Sequence, residues 1–269
     1  MNHREHRVSV FVGAVREVAK NLLRATRAKN FVPKILGAEK SSRWSLWFIP
    51  FLLLLVTACA EYDKNPAVAS RDVLRRATSA VDDFRTHSEM REVFPQLQNA
   101  VGVVVLPRLI KAGFIGGGEG GTGVMVARRA DGTWGYPAFY TLGSASIGLQ
   151  LGIQDTAVMM VIRNRGALTA LVEQQAKFGG DVGFTLVVAG KGVEGATTTA
   201  AGQDVIAYAL PILGLYGGFT LEGGVLARRL DLNEGFYGQA ATPQDILFNE
   251  RVRNPEADAL RNALAGQPR

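Results

Sequence analysis

The sequence predicts an α+β fold: a glycine-rich antiparallel β core, in the form of a sandwich or partial barrel, flanked by N- and C-terminal helices. Three observations carry that expectation. Of 31 glycines, 28 fall between Gly102 and Gly238, a density that a helical core does not tolerate, because each mid-helix Gly costs about 1 kcal/mol relative to Ala. From Val101 to Gln154, short β-branched runs alternate with glycine clusters, as strands alternate with turns and bulges. Helix-start chemistry gathers at the two ends, at Ser70 and at Thr242-Pro243.

The first 58 residues read as a leader. Trp44 to Ala58 (WSLWFIPFLLLLVTA) is uncharged, follows Lys40 and Arg43, and contains Pro50. It is short of the roughly 20 residues that a spanning helix needs. A charged flank, an apolar run and small residues at its end describe a secretory signal. Val56-Thr57-Ala58-Cys59 matches a bacterial lipobox, in which the cysteine is acylated and becomes the new N-terminus. Cys59 is the only cysteine of the chain, and it falls where such a signal requires one. Two or more acyl chains, at about 0.8 kcal/mol per buried CH2, hold a protein on a membrane. The expectation is therefore a lipid-anchored protein of the cell envelope. Ala60 after the cysteine favours the periplasmic face of the outer membrane. Residues 1–39 carry an apolar stripe at helical spacing, including Val15, Val18 and Leu22. A membrane-surface segment and a misassigned start both fit.

Charge and composition exclude several classes. The formal charge is +6, but residues 1–58 carry +7 and residues 60–269 carry −1. A near-neutral body argues against nucleic acid as a partner. One cysteine permits neither an intrachain disulfide nor a thiolate metal cluster, and His87 is the only histidine beyond the leader. No metal spacing, nucleophile–base pair or cofactor motif stands out, so a non-enzymatic protein is expected.

In order, Cys59 to Ala69 is a tether. Ser70 caps a helix to about Arg85, with Val73, Leu74, Ala77, Ala80, Val81 and Phe84 as its core face. Glu89 to Gln98 is a shorter helix interrupted at Pro95. Val101–Leu106 is a strand buried on both faces. Gly123–Arg129 and Trp134–Tyr140 flank Asp131-Gly132, a hairpin signal. Ser144–Ile153 and Thr156–Arg163 are further strands, Gly166–Gln175 is helical, and Asp181–Ala189, Asp204–Leu210 and Gly214–Arg229 complete the β-rich part. Thr242 opens a capping-box helix. Asn254-Pro255 begins a peripheral tail, so that the domain spans 70–250 and the helical tail 251–269.

Gly116-Gly117-Gly118-Glu119-Gly120-Gly121 satisfies GxGxxG literally, yet strand sequence (Thr122 to Ala127) follows where a dinucleotide site needs a helix. Two readings stay open. In one, the cluster is a strand-to-strand connection with φ > 0 and close backbone approach. In the other, its amides form a nest for a phosphate headgroup, assisted by Arg108 and Lys111. The candidate lipid-binding residues are then Arg108, Lys111, Phe114, Gly116, Gly117, Gly118, Gly120 and Gly121. Gln150, Gln154 and Glu222 are candidate structural polar groups, Glu222 pairing with a nest or with a cation such as Lys111. Arg128-Arg129 and Arg228-Arg229 read as solvated strand ends, or together as a headgroup-facing rim. Trp134, Tyr136, Phe139 and Tyr140 read as core.

At this point the chain resembles the SYLF-domain family. The residues that carry the resemblance are Gly102–Pro107, Lys111-Ala112-Gly113-Phe114, the glycine cluster, Trp134 with Pro137, Gly148–Gln154, Tyr208, Gly214–Gly218, Leu221-Glu222-Gly223, Asn233 and Tyr237-Gly238, in the family's order. The resemblance implies a lipid-binding domain, since eukaryotic members are phosphoinositide-binding adaptors and bacterial members are commonly secreted proteins or lipoproteins. One departure matters: Ala209-Leu210-Pro211-Ile212-Leu213 replaces a polar, basic stretch of the family, which favours an apolar, acyl-chain or protein contact there. The expected function is non-catalytic binding of phospholipid, anionic headgroups included, or of another amphiphile. The alternative is a scaffolding lipoprotein with a protein partner and membrane contact only through its anchor.

Overall fold

The computed structural model describes residues 65–113, 116–147, 152–189, 192–197, 204–213 and 223–266. Helix α1 (Pro66–Thr86) begins where Asn65 Oδ1 accepts a hydrogen bond from Ala67 N, with Pro66 at the first helical position. The cap thus lies five residues before the expected Ser70, whose hydroxyl is buried inside the helix and donates to Ala67 O. The expected apolar stripe is buried throughout, so this helix packs on the core. A 3-10 turn (Ser88–Met90) and α2 (Val93–Gln98) follow. Pro95 sits in the first turn of α2, where its missing N–H has no intrahelical acceptor.

Among the described residues, eight strands form one sheet: β1 (Gly102–Gly113), β2 (Gly116–Ala127), β3 (Ala138–Ile147), β4 (Gly152–Ile162), β5 (Phe184–Val188), β6 (Gly192–Thr197), β7 (Val205–Leu213) and β8 (Val225–Arg228), in the order β6-β5-β7-β4-β1-β2-β3-β8. Every pairing is antiparallel except β5 with β7. The α+β class with a sheet core is as expected. The refinement, among the described residues, is a single open, mixed sheet, with β6 and β8 as its edges.

Strands β5 and β8 would lie roughly 29 Å apart in a flat sheet with about 4.8 Å between strands. Instead, the segment before β5 reaches β8: Phe178 N donates to Gly224 O, Gly223 N donates to Phe178 O, and Lys177 bridges Val225. The sheet therefore curls. Its inner face holds Leu106, Met125, Tyr140, Met160, Leu186 and Leu226. Over this face lie α3 (Arg165–Thr169), a π-helical turn (Ala170–Gln174) and α5 (Pro243–Leu247). The outer face packs under α1, α2, α4 (Leu230–Tyr237) and α6 (Asp258–Ala265) through Val103, Val105, Val124, Met159, Val161 and Tyr208. With both faces covered, Val101–Leu106 has the continuous apolar run that such a strand needs.

Several expected boundaries shift. Ser144 lies inside β3, and β4 begins at Gly152. Strand β6 (GVEGAT) and helix α4 have no counterpart in the expectations. The residues beyond Asn254 are not peripheral, because Leu260, Ala263 and Leu264 are buried against α1 and the outer face. The Asp131-Gly132 turn is as expected: Gly132 has φ +83°, and Asp131 Oδ1 accepts from Thr133 N and Oγ1. The Thr242–Asp245 capping box is also present.

Candidate functional site

The site grows from one irregularity in β1. Pro107 has no N–H to give a ladder, so a proline in a central strand requires a bulge. The register with β4 jumps between Leu106 and Leu109, and that with β2 between Val105 and Ile110. The bulged backbone presses onto β2. A Cβ on Gly121 would lie 2.2 Å from Arg108 O, and one on Gly123 would lie 2.1 Å from Val105 O. Glycine is obligatory at both positions for close approach.

The glycine cluster is strand throughout. Gly117, Gly118, Glu119 and Gly120 pair with Gly113, Ala112, Lys111 and Ile110 on one side, and with Ser146, Ala145, Ser144 and Gly143 on the other. None of its glycines is among those with positive φ, which are Gly132, Gly179, Gly223, Gly238 and Gly266 among the described residues. A nest needs successive amides in turn geometry, whereas these are extended and flanked by strands on both sides. The amide nest is therefore corrected, and so is the φ > 0 connection. Close approach, the other half of that reading, holds at Gly121.

Arg108 and Lys111 do not converge. Lys111 Nζ lies 3.0 Å from Glu119 Oε1, with side chains 10% and 1% exposed. Gln154 lies directly across from Lys111 on β4 and donates to Thr156 Oγ1 at 3.1 Å. Gln154, Lys111, Glu119 and Ser144 form a polar row across β4, β1, β2 and β3, continuing the inner face beyond its apolar core. The expected cation for Glu222 is thus committed to Glu119. Glu222, Gln150, Phe114 and Cys59 lie outside the described residues.

Arg108 emerges on the outer face. Its Nη2 and Nε lie 2.6 and 2.7 Å from Asp155 Oδ2, with side chains 49% and 8% exposed for Arg108 and Asp155. The hydrogen bond to Asp155 raises the guanidinium pKa further above its ordinary value. Asp155 Oδ1 is buried with no hydrogen-bond partner among the described residues. Nothing in the sequence singles out Asp155 or Glu119, because their roles depend on register.

Beyond the helical layer, no described element covers this outer face. The helix-covered positions end at Val105 on β1, Val124 on β2, Ala157 on β4 and Tyr208 on β7, with Leu210 partly covered. Past them, Ile110 is 42% and Ile212 is 56% exposed. Ile110 pairs with Gly120 and Asp155 in register, and Ile212 occupies a bulge opposite Asp155 and Thr156. Gly118, Gly120 and Gly143 are exposed here too. A Cβ at Gly118 or Gly120 would meet nothing closer than 3.8 Å, and one at Gly143 nothing within 4 Å. Packing does not demand glycine at these three positions. Their effect is a surface with little side-chain relief, carrying Ile110 and Arg108, with Ile212 exposed at the neighbouring bulge of β7.

The other arginine pairs are tied to backbone carbonyls and carboxylates of the protein itself. Arg128 donates to Ala100 O, Leu97 O and Gly132 O, and burial lowers its pKa. Arg228 donates to Val172 O and Glu173 O, Arg129 pairs with Glu250, and Arg229 pairs with Asp231. They form neither solvated ends nor a headgroup rim. Trp134, Phe139 and Tyr140 are core, as expected, whereas Tyr136 is only partly buried, packed against the core. Among the described residues, no group of three or more His, Cys, Asp or Glu could hold a metal ion, and no helix is long and apolar enough to cross a membrane.

Residues 143–267 match the Ysc84 family model, described as Las17-binding protein actin regulator. LAS seventeen-binding protein 3 of Saccharomyces cerevisiae is 33% identical over 164 residues, which is 60% of this chain and 35% of that protein. Protein YSC84 of the same yeast is 31% identical over 171 residues, covering 62% of this chain and 36% of its own length. SH3 domain-containing YSC84-like protein 1 of Homo sapiens is 30% identical over 204 residues, covering 75% of this chain and 58% of the human protein. The chain thus spans only about a third to three fifths of these relatives.

Proposed function

The chain carries a domain of the Ysc84 (SYLF) family, and from that premise we propose that it binds phospholipid or another amphiphile, without catalysis, at a membrane to which Cys59 tethers it. The exposed part of the outer face carries this reading. Ile110 and Ile212 offer apolar contact, Arg108 offers a half-exposed cation, and Gly118, Gly120 and Gly143 let a flat surface approach the backbone. Aliphatic side chains beside a basic one suit the boundary between acyl chains and anionic headgroups. The apolar stretch Ala209–Leu213 contributes Ile212 to this face, in line with the departure noted in the sequence.

A second reading has a specific observation behind it. One yeast relative is named LAS seventeen-binding protein 3, and the family model is described as Las17-binding protein actin regulator, so the same face is also suited to a protein partner, with the membrane reached through the anchor alone. Vesicle co-sedimentation of residues 61–269, the compact unit without the leader, separates the two. Binding that depends on Ile110 and Ile212 supports the lipid reading, and no binding to any headgroup composition favours the protein partner. Intact-mass measurement of the native protein tests the anchor, and an unmodified Cys59 would refute it.

A further inference from the structure

At the far end of β1 and β2, away from the exposed part of the outer face, the last turn of α1, helices α2 and α6 and the β2–β3 turn enclose a groove of about 690 Å³. Its charged lining is three arginines, Arg85, Arg128 and Arg261, and one carboxylate, Asp258. Each guanidinium rests on an aromatic ring: Arg85 over Phe94 at 4.0 Å, Arg128 over Trp134 at 4.2 Å and Arg261 over Tyr136 at 4.5 Å. Stacking holds an arginine fork in place and covers one face from water, so that little side-chain entropy is lost when its edge binds an oxyanion.

The donors are only partly used. A guanidinium has five N–H groups. Among the described residues, Arg85 gives one bond, to Ala263 O; Arg261 gives two, to Trp134 O and Asp258; Arg128 gives three, all to carbonyls. The acceptors are neutral carbonyls except for Asp258, so the groove keeps a formal surplus of two positive charges. Three staples to the backbone account for the positions of these side chains but leave that surplus unbalanced. The volume lies within the range of about 300–1,000 Å³ typical of small-molecule sites.

We propose that this groove binds a small soluble polyanion with at least two oxyanion groups, one held between the forks of Arg85 and Arg128 and the other near Arg261. Carboxylates and phosphates share the required chemistry, since both accept bidentate N–H pairs from arginine. The proposal does not rest on the membrane reading of the sheet face.

Trp134 lines the groove, and its indole N–H is the reporter. The full chain, 15N-labelled in non-ionic detergent, is titrated with citrate and separately with pyrophosphate, and the Trp134 indole signal is followed. The expected result is a saturable shift with at least one of the two anions. Arg85→Gln should raise Kd about tenfold or more, as for loss of a charged hydrogen bond. Arg85→Lys, which keeps the charge and removes the fork, should weaken binding less than Arg85→Gln. Arg75→Gln, on the exposed side of α1 and already paired with Asp72, should leave Kd unchanged. The proposal is overturned by the absence of a saturable shift with either anion, by equal weakening in Arg75→Gln, or by a response to anionic vesicles alone.

Discussion

Arg108 and Lys111, three positions apart on β1, face opposite sides of the sheet and answer to different carboxylates, Asp155 and Glu119. The two pairs differ in burial, and burial decides what each is worth. Breaking a buried ion pair by removing one partner costs about 3–5 kcal/mol, because a charge is left without compensation. Lys111→Met should accordingly lower unfolding free energy by about 3 kcal/mol. Arg108→Gln, at a half-exposed guanidinium screened by water, should cost on the order of 1 kcal/mol. Urea denaturation checks both, and the double variant Lys111→Met/Glu119→Gln should lose less than the sum of its single changes.

The glycines of β2 divide by what faces them. Gly121→Ala and Gly123→Ala would force a Cβ to about 2 Å from a backbone oxygen of β1, so each should destabilise by about 3 kcal/mol or more, at the upper end of overpacking costs. Gly118→Ala and Gly120→Ala have room, with nothing closer than 3.8 Å, and should change stability by less than about 1 kcal/mol. Chemical denaturation of the four variants tests the division, and equal losses would contradict it.

Acid should loosen the C-terminal helices through Asp245. The Thr242 hydroxyl, then the Thr242 amide, hold its pKa below the ordinary 3.8. A carboxylate depressed on folding contributes stability that is fully present above its unfolded pKa and is lost as pH falls through the lower, folded value. Asp245→Asn should therefore lower Tm at pH 6. The gap from the native protein should narrow steadily as pH falls below about 4. A gap that widened on acidification would contradict this sign.

Much of the fold was legible because it follows from local chemistry. The stripe from Val73 to Phe84, the two-sided run Val101–Leu106, the Asp131-Gly132 turn and the Thr242 capping box each depend on residues close in sequence, and each is present. The site was less legible. Period-two alternation alone places residues 108 and 111 on opposite faces of a strand; only a turn between them and the glycine cluster brings both to one anion, and the cluster's composition fits a turn and a closely packed strand alike. Register hid the rest. Pro107 calls for a bulge, but Glu119 meets Lys111, and Asp155 meets Arg108, through a strand pairing that no local pattern specifies. Helix α4 was obscured by its glycine: Gly235 reads as a breaker, but a Cβ there would lie 2.6 Å from Pro66 C, so the residue is needed where α4 crosses the start of α1.

The exposed part of the outer face is the centre of the functional account, and vesicle co-sedimentation of residues 61–269 across headgroup composition and salt tests it most directly. The expected result is binding that is strongest on anionic vesicles and weakens with salt. It should fall at least severalfold in Ile110→Ser/Ile212→Ser and in Gly120→Asp, with unfolding midpoints close to that of the parent. An absence of co-sedimentation with every composition at low salt, or binding untouched by these substitutions, would contradict the account.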